Sequence, residues 1–168
     1  RGRPAYLDAA KEKGGSDGFG AVEIIKGDVR NRETVRKAVK GVDYVYHEAA
    51  VCINKSIKFP EEAIDTNIWG TVNTVLAAKD ENVEKFVFAS SASVYGNPRQ
   101  IPMTEEHGFY PETPYCVSKI AGEQLLSIYS KELNYVTLRY FNIYGPRQST
   151  DAFYTSVILS FIKKFDAN

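Results

Sequence analysis

The sequence has 168 residues, 43% hydrophobic and 25% charged, with 21 basic and 21 acidic residues and hence no net charge. This is the composition of an ordinary globular domain with a real core, and it offers no electrostatic footprint for nucleic acid or a membrane surface. No apolar run approaches the roughly 20 residues of a spanning helix, and the first residues do not read as a signal peptide.

Residues 22–26, VEIIK, are apolar and β-branched and stop at Gly27 and Asp28, which predicts a buried strand with a turn at its carboxyl end. NRETVRKAVK (31–40) opens on a capping Asn and sets Val35, Ala38 and Val39 on one face, an amphipathic helix closed by Gly41. VDYVYH (42–47) is the next strand. A helix is predicted from about Pro60 to Lys79, with Ile64, Ile68, Thr71, Val72, Val75 and Leu76 at helical spacing. KFVFAS (85–90) is a strand, residues 113–133 a helix opened by Pro114, and YVTLRYF (135–141) a strand. NIYGPRQ is a loop, and residues 152–165 begin a last helix.

Strands that alternate with helices imply parallel pairing through crossover connections, so the fold class is α/β, an open doubly wound parallel sheet. Ligands in that architecture bind at the carboxyl ends of the strands. The polar stretches GDVR, HEAAVC, SSASVYG and NIYGPRQ all fall there. The chain has no initiator Met and ends inside a helical pattern, so it is expected to be one domain of a longer protein, incomplete at both ends. GGSDGFG (14–20) resembles a phosphate-cradling loop but precedes a strand rather than following one, and reads as a surface loop. A complete dinucleotide fold would carry two further strands and their Gly-rich turn ahead of residue 1. With them would go the acidic residue that separates NAD from NADP, and Arg1 and Arg3 carry little weight in that choice.

Tyr115 and Lys119 stand four apart on one helix face. An ammonium near a phenol favours the phenolate and is expected to lower its ionisation below the ordinary value near 10, which suits general acid–base work. Ser91 lies just past the end of a strand, where its hydroxyl can hold a substrate oxygen near Tyr115. Each signal alone reads more simply as a surface pair or a turn serine. Together, in this topological order, they point to one site. His47 and His107 form no metal-spaced cluster, and Cys52 and Cys116 make neither a disulfide framework nor a zinc site, so no metal is expected and a reducing, cytoplasmic setting is the default. Cys116 is a packing residue, turned about 100° from Tyr115.

Five segments in order, GDVRN (27–31), VYHEAA (45–50), NIWGTVNTVLAA (67–78), FVFASSASVYGNP (86–98) with TPYCVSKIAGE (113–123), and LRYFNIYGPRQ (138–148), resemble the extended short-chain dehydrogenase/reductases. Within that group they are most similar to the NAD-dependent nucleotide-sugar epimerases of the UDP-glucose 4-epimerase type, whose members are about twice this length. The resemblance implies a Rossmann-like fold, NAD as cofactor, a nucleotide sugar (a UDP-sugar first) as substrate, and a homodimer built on the helices near 60–80 and 113–131. It implies catalysis by Ser91, Tyr115 and Lys119. Cofactor contacts are implied for Asp28, Val29, Ala49, Ala50, Asn67, Ser90, Tyr115, Lys119 and Phe141, and substrate contacts for Ser91, Tyr115, Asn142 and Arg147.

Each role has a plainer alternative: a turn Asp28, tight packing at Ala49 and Ala50, a solvent-facing Asn67, a core Phe141, a loop Arg147. The related 4,6-dehydratases place an Asp-Glu pair where Ala92 and Ser93 stand here, which argues against dehydration. Decarboxylation, a non-catalytic dinucleotide binder and an inactive fragment stay open.

Overall fold

The computed structural model describes residues 23–145, 148 and 157–166. The glycine-rich stretch, Arg1, Arg3, Val22, Arg147 and Tyr154 lie outside the described residues.

Three parallel strands, β1 (Tyr44–His47), β2 (Lys85–Ser91) and β3 (Tyr135–Tyr140), form a sheet in the order β1-β2-β3. Tyr44 pairs with Lys85 and His47 with Phe88; on the other side Phe86 pairs with Tyr135 and Ser91 with Tyr140. Helix α1 (Arg32–Val39) precedes β1. Its first turn is capped by Asn31, whose side chain accepts from the Thr34 amide at 3.0 Å, and it buries Val35 and Val39. Between β1 and β2 run α2 (Ile53–Lys58), α3 (Pro60–Ile64), a wide π-helical turn (Asp65–Trp69) and α4 (Gly70–Asp80). A 3-10 turn (Ala92–Tyr95) follows β2, α5 (Pro114–Ile128) leads to β3, and α6 (Val157–Asp166) follows it. Both crossovers join parallel neighbours, as the alternating pattern requires.

The core lies on one face of the sheet. Val45, Phe86 and Phe88 point into it and meet Val35 and Val39 of α1, Val75, Ala77 and Ala78 of α4, and Leu126 of α5. Period-2 alternation fixes this: Phe86 and Phe88 share a face while Val87 and Ala89 share the other. On that other face the edge strand leaves Tyr44 and Tyr46 exposed at 56% and 68%.

The structure corrects three expectations and adds one element. Residues 23–26 form no strand; a strand exists only through its hydrogen-bonded neighbour, and none is present for them among the described residues. The helix from Pro60 is not regular, because residues 65–69 widen into a π turn, a feature frequent at functional sites. The helix expected through residue 133 stops at Ile128, where Tyr129 leaves helical geometry and the Leu133 amide turns back to the Tyr129 carbonyl at 2.9 Å. Helix α2 escaped the pattern because it has six residues and buries only Ser56. That serine does tertiary work: its Oγ donates to the Ile53 carbonyl at 2.7 Å and accepts the Tyr115 amide at 3.2 Å.

Candidate active site

The carboxyl end of β2 carries the first part of the site. The strand runs straight into Ser91, whose extended backbone and side chain cap the 3-10 turn by accepting from the Ser93 amide at 3.2 Å. The Ser93 hydroxyl donates to Ser91 Oγ at 2.9 Å. Helix α5 brings the second part. Thr113 caps it by accepting from the Cys116 amide, Pro114 fills the first helical position, and Tyr115 follows at once. The Tyr115 phenol shares the cleft lining with Ser91, whose hydroxyl favours its ionised form. One turn on, Lys119 is buried at 4% exposure, donates through Nζ to the Ala89 carbonyl at 2.6 Å and lies 5.6 Å from the Tyr115 ring centre.

These groups line a cleft of about 410 Å³ at the carboxyl ends of the strands. It brings together Ala50, Ser90, Ser91, Tyr115, Lys119, Phe141 and Asn142 of the expected residues, adding Glu48, Cys52 and Ser93. Ser93 and Glu48 were missed, although Ser93 is legible as the second hydroxyl of the S-x-S step after β2. Phe141 is 63% exposed, not core.

Asp28, Val29, Ala49 and Asn67 are not among the lining residues. Asp28 is gripped by Arg30, through Nη2 to Oδ2 at 2.7 Å and the Arg30 amide to Oδ1 at 2.9 Å, which holds its carboxyl down at about 2. Val29 lends its carbonyl to Asn73 Nδ2 at 3.0 Å. Asn67 is neither solvent-facing nor open to a ligand: it is buried in the π turn. Its Oδ1 accepts the Val51 amide at 2.7 Å, and Nδ2 donates to the Val51 carbonyl at 3.1 Å and Ser118 Oγ at 3.0 Å. Its amide therefore pins the loop after β1 against α5. His47 is a satisfied core residue, 2.9 Å from Thr71 Oγ1 and stacked on Phe88; burial pushes its imidazole down to about 4. Cys116 is buried against Thr113 Oγ1, in keeping with a packing role.

The electrostatics correct one expectation. Burial raises the Tyr115 phenol above its ordinary value of 10, and the hydrogen bond from Ser91 pulls the other way. Lys119 does not bring it down here, because burial pushes its own ammonium down to about 8, with Glu48 opposing. Spacing alone set the two side by side but could not report their desolvation, which disfavours both charged forms.

The sequence matches the model of the NAD dependent epimerase/dehydratase family over residues 3–168. It is 35% identical over 151 residues to a putative UDP-glucose 4-epimerase of Methanocaldococcus jannaschii, covering 87% of this chain and 49% of that protein. It is 34% identical to the UDP-glucose 4-epimerase of Lactobacillus helveticus over 73% of this chain and 39% of the relative. Among solved structures, a UDP-N-acetylglucosamine 4-epimerase from Methanobrevibacter ruminantium, in complex with UDP-N-acetylmuramic acid, superposes with a TM-score of 0.80. The identity is 35%, over 86% of this chain and 47% of that one. The Thermus thermophilus UDP-glucose 4-epimerase complexed with NAD superposes at 0.72 with 36% identity, over 76% and 43%. The chain thus spans half the length of these relatives or less.

Proposed function

The chain belongs to the NAD-dependent epimerase/dehydratase family, and from that premise we propose that it is part of the dinucleotide-binding and catalytic portion of an NAD-dependent nucleotide-sugar 4-epimerase. The observation that carries the reading is the meeting of Ser91, Tyr115 and Lys119 in the lining of one cleft at the carboxyl ends of the strands. The lining fits a dinucleotide: Ala50, Ala89 and Ala92 are small enough for close approach, Lys119 offers a donor for ribose hydroxyls with the Ser90 oxygen beside it as an acceptor, and Phe141 presents an exposed ring. Asp28, at the end of the segment before α1, keeps an exposed carboxylate for an adenine amino group, with Val29 beside it. Ala49, exposed beside Ala50, is small enough for the cofactor to approach, and Asn67 supports the wall by fixing Val51.

NAD held in this cleft would supply the hydride chemistry at the sugar C4 and, in its oxidised form, a positive charge. Tyr115 takes the proton of the sugar 4-hydroxyl and later gives it back. Burial favours its protonated phenol, so its action as a base calls for neighbouring positive charge, of which the Lys119 ammonium is one source below about pH 8. Ser91 hydrogen-bonds the same sugar oxygen, and Asn142 and Arg147 hold the sugar and its diphosphate. A UDP-sugar is the first substrate to test. Ala92 and Ser93, where dehydratases carry Asp and Glu, support epimerisation over loss of water.

The reading includes a homodimer, for which exposed Ile64, Trp69, Val117 and Ile128 on α3, the π turn and α5 provide apolar surface. It is also set in the cytoplasm, with Cys52 and Cys116 as free thiols and no helix among the described residues long and apolar enough to cross a membrane. The test is interconversion of UDP-glucose and UDP-galactose with NAD by the protein of the whole gene. Tyr115→Phe should abolish nearly all turnover while NAD still binds; substantial residual turnover in that variant sinks the assignment.

A further inference from the structure

Three consecutive residues at the end of β2 are each matched by a residue of α5. Lys119 Nζ donates to the Ala89 carbonyl, Ser90 Oγ donates to Glu123, and Ser91 lines the cleft with Tyr115. Tyr115, Lys119 and Glu123 recur at four-residue spacing, one row along the helix face that meets the strand. Gly122 lets that face close on β2, since a Cβ there would stand 2.3 Å from Phe88 Cζ.

Glu123 is fixed from its far side as well. Arg139, opposite Ser90 in the β2–β3 register, forks onto it with Nε 3.0 Å from Oε1 and Nη2 2.7 Å from Oε2. The second arm of the guanidinium, Nη1, donates to Tyr95 Oη at 2.9 Å and to the Glu105 carbonyl at 2.6 Å. The guanidinium carbon lies 5.0 Å from the ring centres of both Tyr95 and Phe109. One ion pair therefore joins β2, α5, β3, the 3-10 turn and the loop beyond it.

We propose that the Ser90–Glu123–Arg139 linkage is a positioning device that fixes the register of α5 against the tip of β2, and so sets Ser91 Oγ where it and the Tyr115 phenol can act on one substrate oxygen. The two groups arrive on separate elements, and a helix advances about 1.5 Å per residue. A slip of less than one residue thus takes an oxygen pair out of bonding range, because such bonds weaken quickly beyond about 3 Å. Lys119 grips only a backbone carbonyl on a flexible stem. Arg139 is a planar fork that fixes direction as well as distance. Ser90 is 3% and Glu123 8% exposed, so the bond between them is largely shielded from water. The sequence shows its trace: Glu123 extends the Tyr-x-x-x-Lys spacing by one more turn.

This inference rests on Tyr115 and Ser91 acting as a pair, so the test reads the phenol itself rather than turnover. Position 115 is replaced by 3-fluorotyrosine, whose fluorine lowers phenol ionisation into a workable range, and is titrated by fluorine NMR in the protein of the whole gene. Ser91→Ala sets the full effect, a rise of about one pH unit on losing a hydrogen bond to the charged form. Ser90→Ala, which removes a hydroxyl bonded to Glu123 and not to the phenol, is expected to reproduce most of that rise, and Ser90→Thr to stay at the parent value. If Ser90→Ala does not fold, Glu123→Gln replaces it, with a rise again expected. A variant that melts earlier yet titrates like the parent, while Ser91→Ala shifts, overturns the positioning role alone. No shift in Ser91→Ala overturns the pair and the inference with it.

Discussion

Lys119→Met isolates the desolvation of a single ammonium. Burial moves Lys119 from 10.5 to about 8 in the folded chain, with Glu48 partly holding the charge in place. The difference is about 2.5 pH units, and at about 1.4 kcal/mol per unit the charged form costs the fold about 3 kcal/mol. The sign follows from proton binding. Below about pH 8 both folded and unfolded chains carry the proton, and the full penalty applies. Between pH 8 and 10.5 the folded chain has released it while the unfolded chain still holds it, so stability rises with pH. Above 10.5 neither carries the proton and the penalty is gone. Methionine keeps the stem without the charge and loses the bond to Ala89, a loss that does not vary with pH. Urea unfolding of both proteins from pH 7 to 10.5 should therefore show the parent gaining about 3 kcal/mol on the variant, other titrations cancelling in the difference. A flat difference, or one that falls with pH, refutes the placement of a desolvated ammonium beneath the cleft.

Gly122→Ala gains about 1 kcal/mol of helix propensity but drives a methyl into the buried Phe88 ring, and should lose about 1–2 kcal/mol net by denaturant unfolding. Gly96→Ala should lose more, at least about 2 kcal/mol. Its φ of +58° disfavours a side chain, and the new Cβ would lie 2.0 Å from the Tyr110 carbonyl, which is backbone and cannot swing aside. Asn67→Ala strips the Val51 amide and carbonyl of their partner and should cost about 2–3 kcal/mol, with faster hydrogen exchange at Val51 as the local signature. Asn31→Ala removes a cap from α1 and should cost about 1 kcal/mol, read as a lower thermal midpoint, with the cleft unchanged.

What the sequence determined by itself was what depends on neighbours in the chain. Hydrophobic period sets β1, β2, β3 and α1. Capping Asn31 and Thr113 with Pro114 set helix starts, and four-residue spacing puts Tyr115 and Lys119 on one face, with Ser91 at a strand tip. Tertiary structure decided whatever depends on partners far along the chain. Residues 23–26 have the composition of a strand but pair with no neighbour among the described residues. Six-residue α2 exists through Ser56 meeting the Tyr115 amide 59 positions away. Asn67 turns inward because Val51 and Ser118 offer it three hydrogen bonds that solvent cannot better in a closed core. The ionisation of Tyr115 and Lys119 belongs to this second class, since desolvation is a property of the packed surroundings and leaves no mark in residue spacing. Glu123 lies between the two: its place in the row is written in the helix repeat, but its grip on Ser90 and Arg139 appears only once β2 and β3 lie side by side.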